Sequence, residues 1–235
     1  MCQFKSCIIL KDRVFVPDYD RHSRMLEELN ISDTFENASS VFVRAEISPT
    51  DGNVFSDVTG WKLNVDQDIL PDWYVPEIDE SRAKNAVSEW MKNHTISGGE
   101  REVRDGVWFA TGSATVTAWN SATVKAYSNA TVTAYDSATV KAYSSATVTA
   151  WNSATVTAYD IATVTAYGSA TVTAYGSATV TAYDSATVTA YGSATVIIPN
   201  VSFNKLDNVT VNDNAIAICK KTNQIKSNTK WKMKE

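Results

Sequence analysis

The residue best placed to act as a nucleophile is Cys2. Removal of Met1 would expose its own α-amine as a base, with His22 and His94 as alternatives. No glycine-rich oxyanion loop accompanies it, and the simpler reading makes Cys2 the residue before a strand. Cation binding is a second candidate chemistry. Asp66, Asp68 and Asp72 lie in the run VDQDILPDW and could offer carboxylate oxygens to a divalent ion. Their spacing fits no standard calcium loop, and a solvated turn before Pro71 is the favoured reading of the run. Asp18, Asp20 and His22 form a looser cluster, in which Asp20 also reads as a helix cap. Two His and three dispersed Cys make no zinc site, and no phosphate loop or dinucleotide fingerprint is present. No cofactor is expected. The remaining candidate is a surface. Thr115/Thr117, Thr131/Thr133, Thr147/Thr149, Thr163/Thr165 and Thr179/Thr181 recur in pairs every 16 residues.

Those pairs belong to a repeat that must set the fold around them. From Ser113 the chain reads SATVTAWN, SATVKAYS, NATVTAYD and onward in unbroken octads, decaying at SATVIIPN. Ala, Val and Ala alternate with Thr, Thr or Lys, and Tyr or Trp. That is a period of two, the mark of a strand. Each octad closes in Asn, Asp, Ser or Gly followed in nearly every case by Ser, which is turn chemistry. A helix cannot place eight-residue identities on one face. A stack of hairpins would leave the Ala/Val face uncovered. A β-solenoid buries it and pairs every strand with the coils on either side. Two octads give a flattened coil of two walls; three give a triangular coil. Lys125 and Lys141 are 16 apart, and Trp119 and Trp151 are 32 apart. These spacings favour two octads per coil. Odd octads then form one wall, with an unbroken column of Thr pairs, and even octads the other, interrupted by both Lys. Aromatic ladders should run along the edges.

The flanks read differently. Residues 1–95 alternate short strands and helices in the order ββαββα, a small α/β head. The fold class expected is an α+β N-terminal domain followed by an all-β solenoid. Residues 96–104 read as a charged hinge, 105–221 as the solenoid with its caps, and 222–235 as a Lys-rich tail. Charge follows these divisions. Residues 1–112 carry 12 Lys/Arg against 20 Asp/Glu, and residues 197–235 carry 7 Lys against 3 acids. A net charge of −5 argues against general nucleic-acid binding. No apolar run is long enough for a membrane span, and no secretory signal is evident at Met1.

Two resemblances follow from these motifs. MCQFKSCIILKDRV, VFVRAEISP and VDQDILPDWYVP resemble an uncharacterised N-terminal domain of phage and prophage proteins, where it precedes octads similar to SATVTAYG. That likeness implies a product of phage or prophage origin, made in the cytoplasm of a bacterial host or associated with a virion, and it assigns no activity. AYGSATVT is similar to half of the repeat of bacterial ice-nucleation proteins, and Thr-Val-Thr to the Thr-x-Thr motif of ice-binding solenoids. The functional expectation is a non-enzymatic protein whose rod serves as spacer, interaction surface or self-association surface, with a protein or a second copy as partner. An ice-binding Thr surface and an enzyme using Cys2 are the alternatives.

Overall fold

A computed structural model of the chain describes residues 4–199, 207–227 and 230–233. The chain divides into two units, Met1–His94 and Thr95–Glu235. The first is the head. Its sheet holds β1 (Lys5–Leu10), β2 (Val14–Phe15), β3 (Phe42–Ser48) and β4 (Lys62–Val65) in the antiparallel order β2-β1-β3-β4. The central strand β1 is buried along its whole length, its polar Lys5 and Ser6 included. Ile8, Leu10 and Phe42 pack with Met25 and Leu26 of helix α1 (His22–Glu28). A short α2 spans Phe35–Ala38, capped by Thr34, and was not foreseen in the sequence. Helix α3 (Pro76–His94) packs on β1 and β2 and buries Ala83, Val87, Trp90 and Met91.

Two acidic residues near helix starts have particular roles. Asp20 does not cap α1. Its Oδ1 accepts from Lys5 Nζ at 2.8 Å and from the Ser6 backbone N–H at 3.2 Å. Lys5 is 2% exposed, and its ammonium also lies 4.5 Å from the Trp90 ring centroid. A buried cation must be paired, and that need outranks a helix end exposed to water. Asp79 lies inside α3, not before it. It accepts from the Val75 N–H at 2.8 Å, reaching back over the first turn, and from Arg82 at 2.6 Å.

The second unit is a parallel β-solenoid of two walls. In strand β8 (Thr115–Ala118), β10 (Thr131–Ala134), β12 (Thr147–Ala150), β14 (Thr163–Ala166) and β16 (Thr179–Ala182), each residue pairs with the one 16 positions on, as in Thr131↔Thr147 and Val148↔Val164. The even octads β9 (Thr123–Ala126), β11 (Thr139–Ala142), β13 (Thr155–Ala158), β15 (Thr171–Ala174) and β17 (Thr187–Ala190) pair in the same manner in the opposite wall. Two octads per coil is therefore the repeat. Within each octad the second, fourth and sixth residues face inward. Ala146, Val148 and Ala150 are 0% exposed, and so are nearly all their equivalents. The eighth residue turns the chain in the left-handed region, from Asn120 at φ 52° to Gly192 at φ 66°. Asn, Asp and Gly tolerate that region, which suits them to this position; Ser128 and Ser144 also adopt it there, at φ 55°.

The ends extend beyond the octads. The segment read as a hinge instead carries β5 (Thr95–Ile96) and β6 (Glu100–Val103), which pair in parallel with β7 (Val107–Ala110) and β8. Their offsets are 14 (Thr95↔Phe109) and 15 (Glu100↔Thr115), so the 16-residue pattern does not extend to them. Ile96 and Val103 nevertheless join the Ala/Val core, and Trp108 packs against it. At the other end β18 (Thr195–Ile198), β19 (Val209–Val211) and β20 (Ile216–Cys219) continue the coil, with an offset of 21 at Val188↔Val209. The Lys-rich tail is not a plain solvated segment. It contains β21 (Gln224–Ser227) and β22 (Lys230–Met233), which add antiparallel to β20. Buried Lys226 donates from Nζ to the Val209 carbonyl at 2.6 Å. A carbonyl of the terminal strand thus gains a donor where no further coil exists.

Two measurements test this frame. Val148→Asp places an unpaired carboxylate between the walls and should destabilise the solenoid by several kcal/mol, about 3 or more. Thr149→Asp on the outer face should stay within about 0.5 kcal/mol. Thermal melts followed by circular dichroism compare them, and equal losses would invert the assigned faces. Deleting residues 145–160 removes one coil and leaves like against like, so the fold should survive with a small drop in Tm. Deleting only 145–152 exchanges the walls beyond the cut and should abolish the single cooperative transition.

Candidate functional site

The outer surface of the ten-stranded wall is the largest regular feature of the molecule. Its strands run in the order β6-β8-β10-β12-β14-β16-β18-β20-β21-β22. The period of two sends the third and fifth residue of each octad outward. Two columns result. One runs through Thr115, Thr131, Thr147, Thr163 and Thr179; the other through Thr117, Thr133, Thr149, Thr165 and Thr181. Thr115, Thr131, Thr147 and Thr163 are exposed, and the second column is half-buried. All ten threonines singled out from the sequence thus stand on one wall, spaced ~4.8 Å between strands.

Two differences along this wall escaped the sequence reading. Its first strand carries Glu100 and Glu102 in register with Thr115 and Thr117, both exposed. Toward the other end the columns become apolar. Ile197 follows Thr181, Ile218 follows Ile197, Ile225 follows Ile218, and Ile216 follows Thr195. These four Ile are half-buried on a face whose inner neighbours, Val196, Ala217 and Cys219, are fully covered. The decay of the last octad to SATVIIPN and the alternation of AIAIC were the available signals.

The opposite wall is different in charge. Lys125 and Lys141 are direct neighbours in its outer column, Lys141↔Lys125. Two like charges at one strand spacing repel, and Lys side chains discourage sheet-to-sheet contact. Lys125 also lies 5.1 Å from the Phe109 ring centroid.

The edges are stacked aromatics. On one edge Trp119, Tyr135, Trp151, Tyr167 and Tyr183 follow one another with centroids 4.2, 6.4, 4.1 and 4.8 Å apart. On the other Tyr127, Tyr143, Tyr159, Tyr175 and Tyr191 are 4.8 to 5.3 Å apart. Beside them the turn carboxylates take up backbone donors of the preceding coil. Asp160 accepts from Ser144 N–H at 2.9 Å, and Asp184 from Gly168 N–H at 3.1 Å. This is a second reason for Asp at the eighth position, which turn propensity alone did not disclose. Partial burial pushes the Tyr127 hydroxyl up from 10 to about 12, and Tyr143 rises for the same reason.

Among the described residues the sheet of the head has four strands, against ten in this wall. Cys2 lies outside the described residues. Cys7 is fully buried, and burial pushes its thiol up to about 12, where it is no nucleophile. His22 contacts the Ala45 carbonyl and Asp66 at 3.2 and 3.3 Å. His94 is held between the Trp90 carbonyl at 2.7 Å and Asp18 at 2.9 Å. Among the described residues no three His, Cys, Asp or Glu are grouped to hold a metal ion. The loop of Asp66, Asp68 and Asp72 is organised by Gln67, which accepts from Arg44 N–H at 2.9 Å and donates to the carbonyls of Ala38, Phe42 and Ile69. Among the described residues no helix is long and apolar enough to cross a membrane.

No family model, no curated protein and no solved structure matches the chain. Neither the phage-type likeness of the head nor the ice-nucleation likeness of the repeat gains a relative from these comparisons.

The tyrosine edge makes a pH test. A phenol whose pKa rises on folding binds its proton more tightly in the folded state. Stability is then full below pH 10 and falls as pH climbs from 10 toward 12. The wild type should lose Tm over that window. Tyr127→Phe should show a shallower loss in the same melts.

Proposed function

We propose that the protein is a non-enzymatic interaction protein whose ten-stranded wall is its binding face. One observation carries this reading. The wall presents two in-register columns of uncharged Thr over five successive coils, while its counterpart is broken by Lys125 and Lys141. A broad, flat, uncharged β-surface with small side chains buries area against another regular surface at little side-chain entropy. The core between the walls is built almost wholly of buried Ala and Val.

A second reading has its own support. The Thr-x-Thr pairs repeat at ~4.8 Å across strands and ~6.6 Å along them, a two-dimensional grid of hydroxyls suited to ordered water. Thermal-hysteresis measurement decides it directly, with loss of activity expected in Thr149→Lys if the wall binds ice.

The principal reading is tested by charge placed on one wall at a time. Thr133→Lys, Thr149→Lys and Thr165→Lys together should abolish concentration-dependent association in sedimentation velocity. Thr157→Lys, Thr173→Lys and Thr189→Lys on the other wall should leave it unchanged. Both variants should keep the wild-type circular dichroism spectrum. Equal behaviour of the two variants would remove the ten-stranded wall as the binding face.

A further inference from the structure

Apart from the binding face, we propose that the all-tyrosine edge of the solenoid is a covalent modification site, at which one-electron oxidation joins neighbouring phenols into dityrosine and so ties one coil to the next. Tyr127, Tyr143, Tyr159, Tyr175 and Tyr191 stack with centroids 4.8, 4.9, 5.3 and 5.1 Å apart and ring planes 5° to 11° from parallel. Backbone pairing fixes each ring beside the one 16 residues on. The Tyr143 N–H bonds the Ala126 carbonyl at 2.8 Å, and the Tyr159 N–H the Ala142 carbonyl at 2.9 Å. The rings are open to solvent on one side: Tyr175 is exposed and the other four are half-buried. A disulfide cannot tie these coils, because the solenoid has a single cysteine, the buried Cys219.

The step needs a one-electron oxidant acting twice, such as a peroxidase intermediate or a photogenerated ruthenium(III) complex. Each oxidant takes one electron from a phenol, and the phenolic proton leaves to water. The two phenoxyl radicals then form a carbon–carbon bond between their Cε atoms, ortho to the oxygens. Each bonded carbon gives up its hydrogen as a proton, and each oxygen takes one back. The chain loses two hydrogens in all, as two electrons and two protons. Adjacent strands stand ~4.8 Å apart, so two side chains swung outward about Cα–Cβ bring their Cε atoms together while the strands stay paired. Radicals on neighbouring rings are already held side by side, which favours the bond between coils over collision between chains.

The opposite edge sets the specificity. There Tyr135 stacks between Trp119 at 4.2 Å and Trp151 at 6.4 Å, so its ladder gives it no phenol to join. Tyr167 and Tyr183, 4.8 Å apart, are the phenol pair of that edge. Tyr127 and Tyr135 therefore differ in outcome although each closes an octad of the same kind. Tyr127 is bound for Tyr143, and Tyr135 stays single.

Trypsin separates the two. It cuts after Lys125 and Lys141 and next after Lys205, so residues 126–141 carry Tyr127 and Tyr135 while residues 142–205 carry Tyr143. The full chain is oxidised with tris(bipyridine)ruthenium(II), persulfate and light. Species of single-chain mass are isolated on a denaturing gel, digested and weighed, so association through the wall does not enter the result. The wild type should yield fragment 126–141 joined to 142–205, lighter by two hydrogens for every bond formed, with dityrosine fluorescence. Tyr127→Phe should abolish the joined fragment, and Tyr135→Phe should leave it at wild-type yield. Circular dichroism melts show that both variants are folded. In urea, where the stack is gone, the two variants should give it equally. No joined fragment in the wild type, covalent dimers in its place, or a native joined fragment that survives Tyr127→Phe or is lost in Tyr135→Phe overturns the site.

Discussion

Everything in the solenoid depends on how near two sheets can approach. The interior admits Ala, Val, Ala and nothing larger over ten successive octads. Small side chains bring the walls together, and close walls leave no room for water or for an unpaired polar group. The backbone then has to satisfy itself, which it does through pairing at a fixed 16-residue step. Even the turns take part: Ser169 N–H reaches the Asn152 carbonyl at 2.8 Å, and Ser177 N–H the Asp160 carbonyl at 2.7 Å. Thr on the outer face and Tyr at the corners follow from that interior. They are the residues that finish a short strand when its inner face is already filled.

A stack of equal coils solves its own middle and leaves its ends unsolved. Each end here has a different remedy. At the first, strands of irregular offset bring Ile96 and Val103 to the core, Trp108 covers it, and the Arg101 guanidinium lies 4.4 Å from the Trp108 ring centroid. At the last, two antiparallel strands extend one wall, and Lys226 bonds across to the Val209 carbonyl of the other. Unlike ends give the solenoid a chemical direction that its repeats lack.

The repeat was legible because one physical demand is restated every eight residues. Inward Val148, outward Thr149 and the turn at Asn152 are each repeated many times, and the 16-residue spacing of Lys125 and Lys141 marked the coil. The head was readable as short strands among helices, and its central strand is the run Lys5–Leu10, buried at every position. What stayed hidden was set by single events of packing. Asp20 looks like a cap until Lys5 is seen to be buried beside it. TISGGEREVR looks like a hinge because its pairing steps are 14 and 15. The Ile surface was hidden because each Ile belongs to a different strand, and only the pairing of Ile197, Ile218 and Ile225 aligns them.

The two aromatic edges also give the solenoid an optical asymmetry. One edge interleaves Trp119 and Trp151 with tyrosines at stacking distance, so light absorbed by Tyr135 or Tyr167 drains to an indole a single step away. The other edge stacks tyrosine only, from Tyr127 to Tyr191, with no indole in its own ladder. Parting of the first edge would restore phenolic emission at the expense of indole emission. Parting of the second would change exciton coupling in the near ultraviolet with no transfer lost. The molecule thus carries a separate native reporter for each of its two seams.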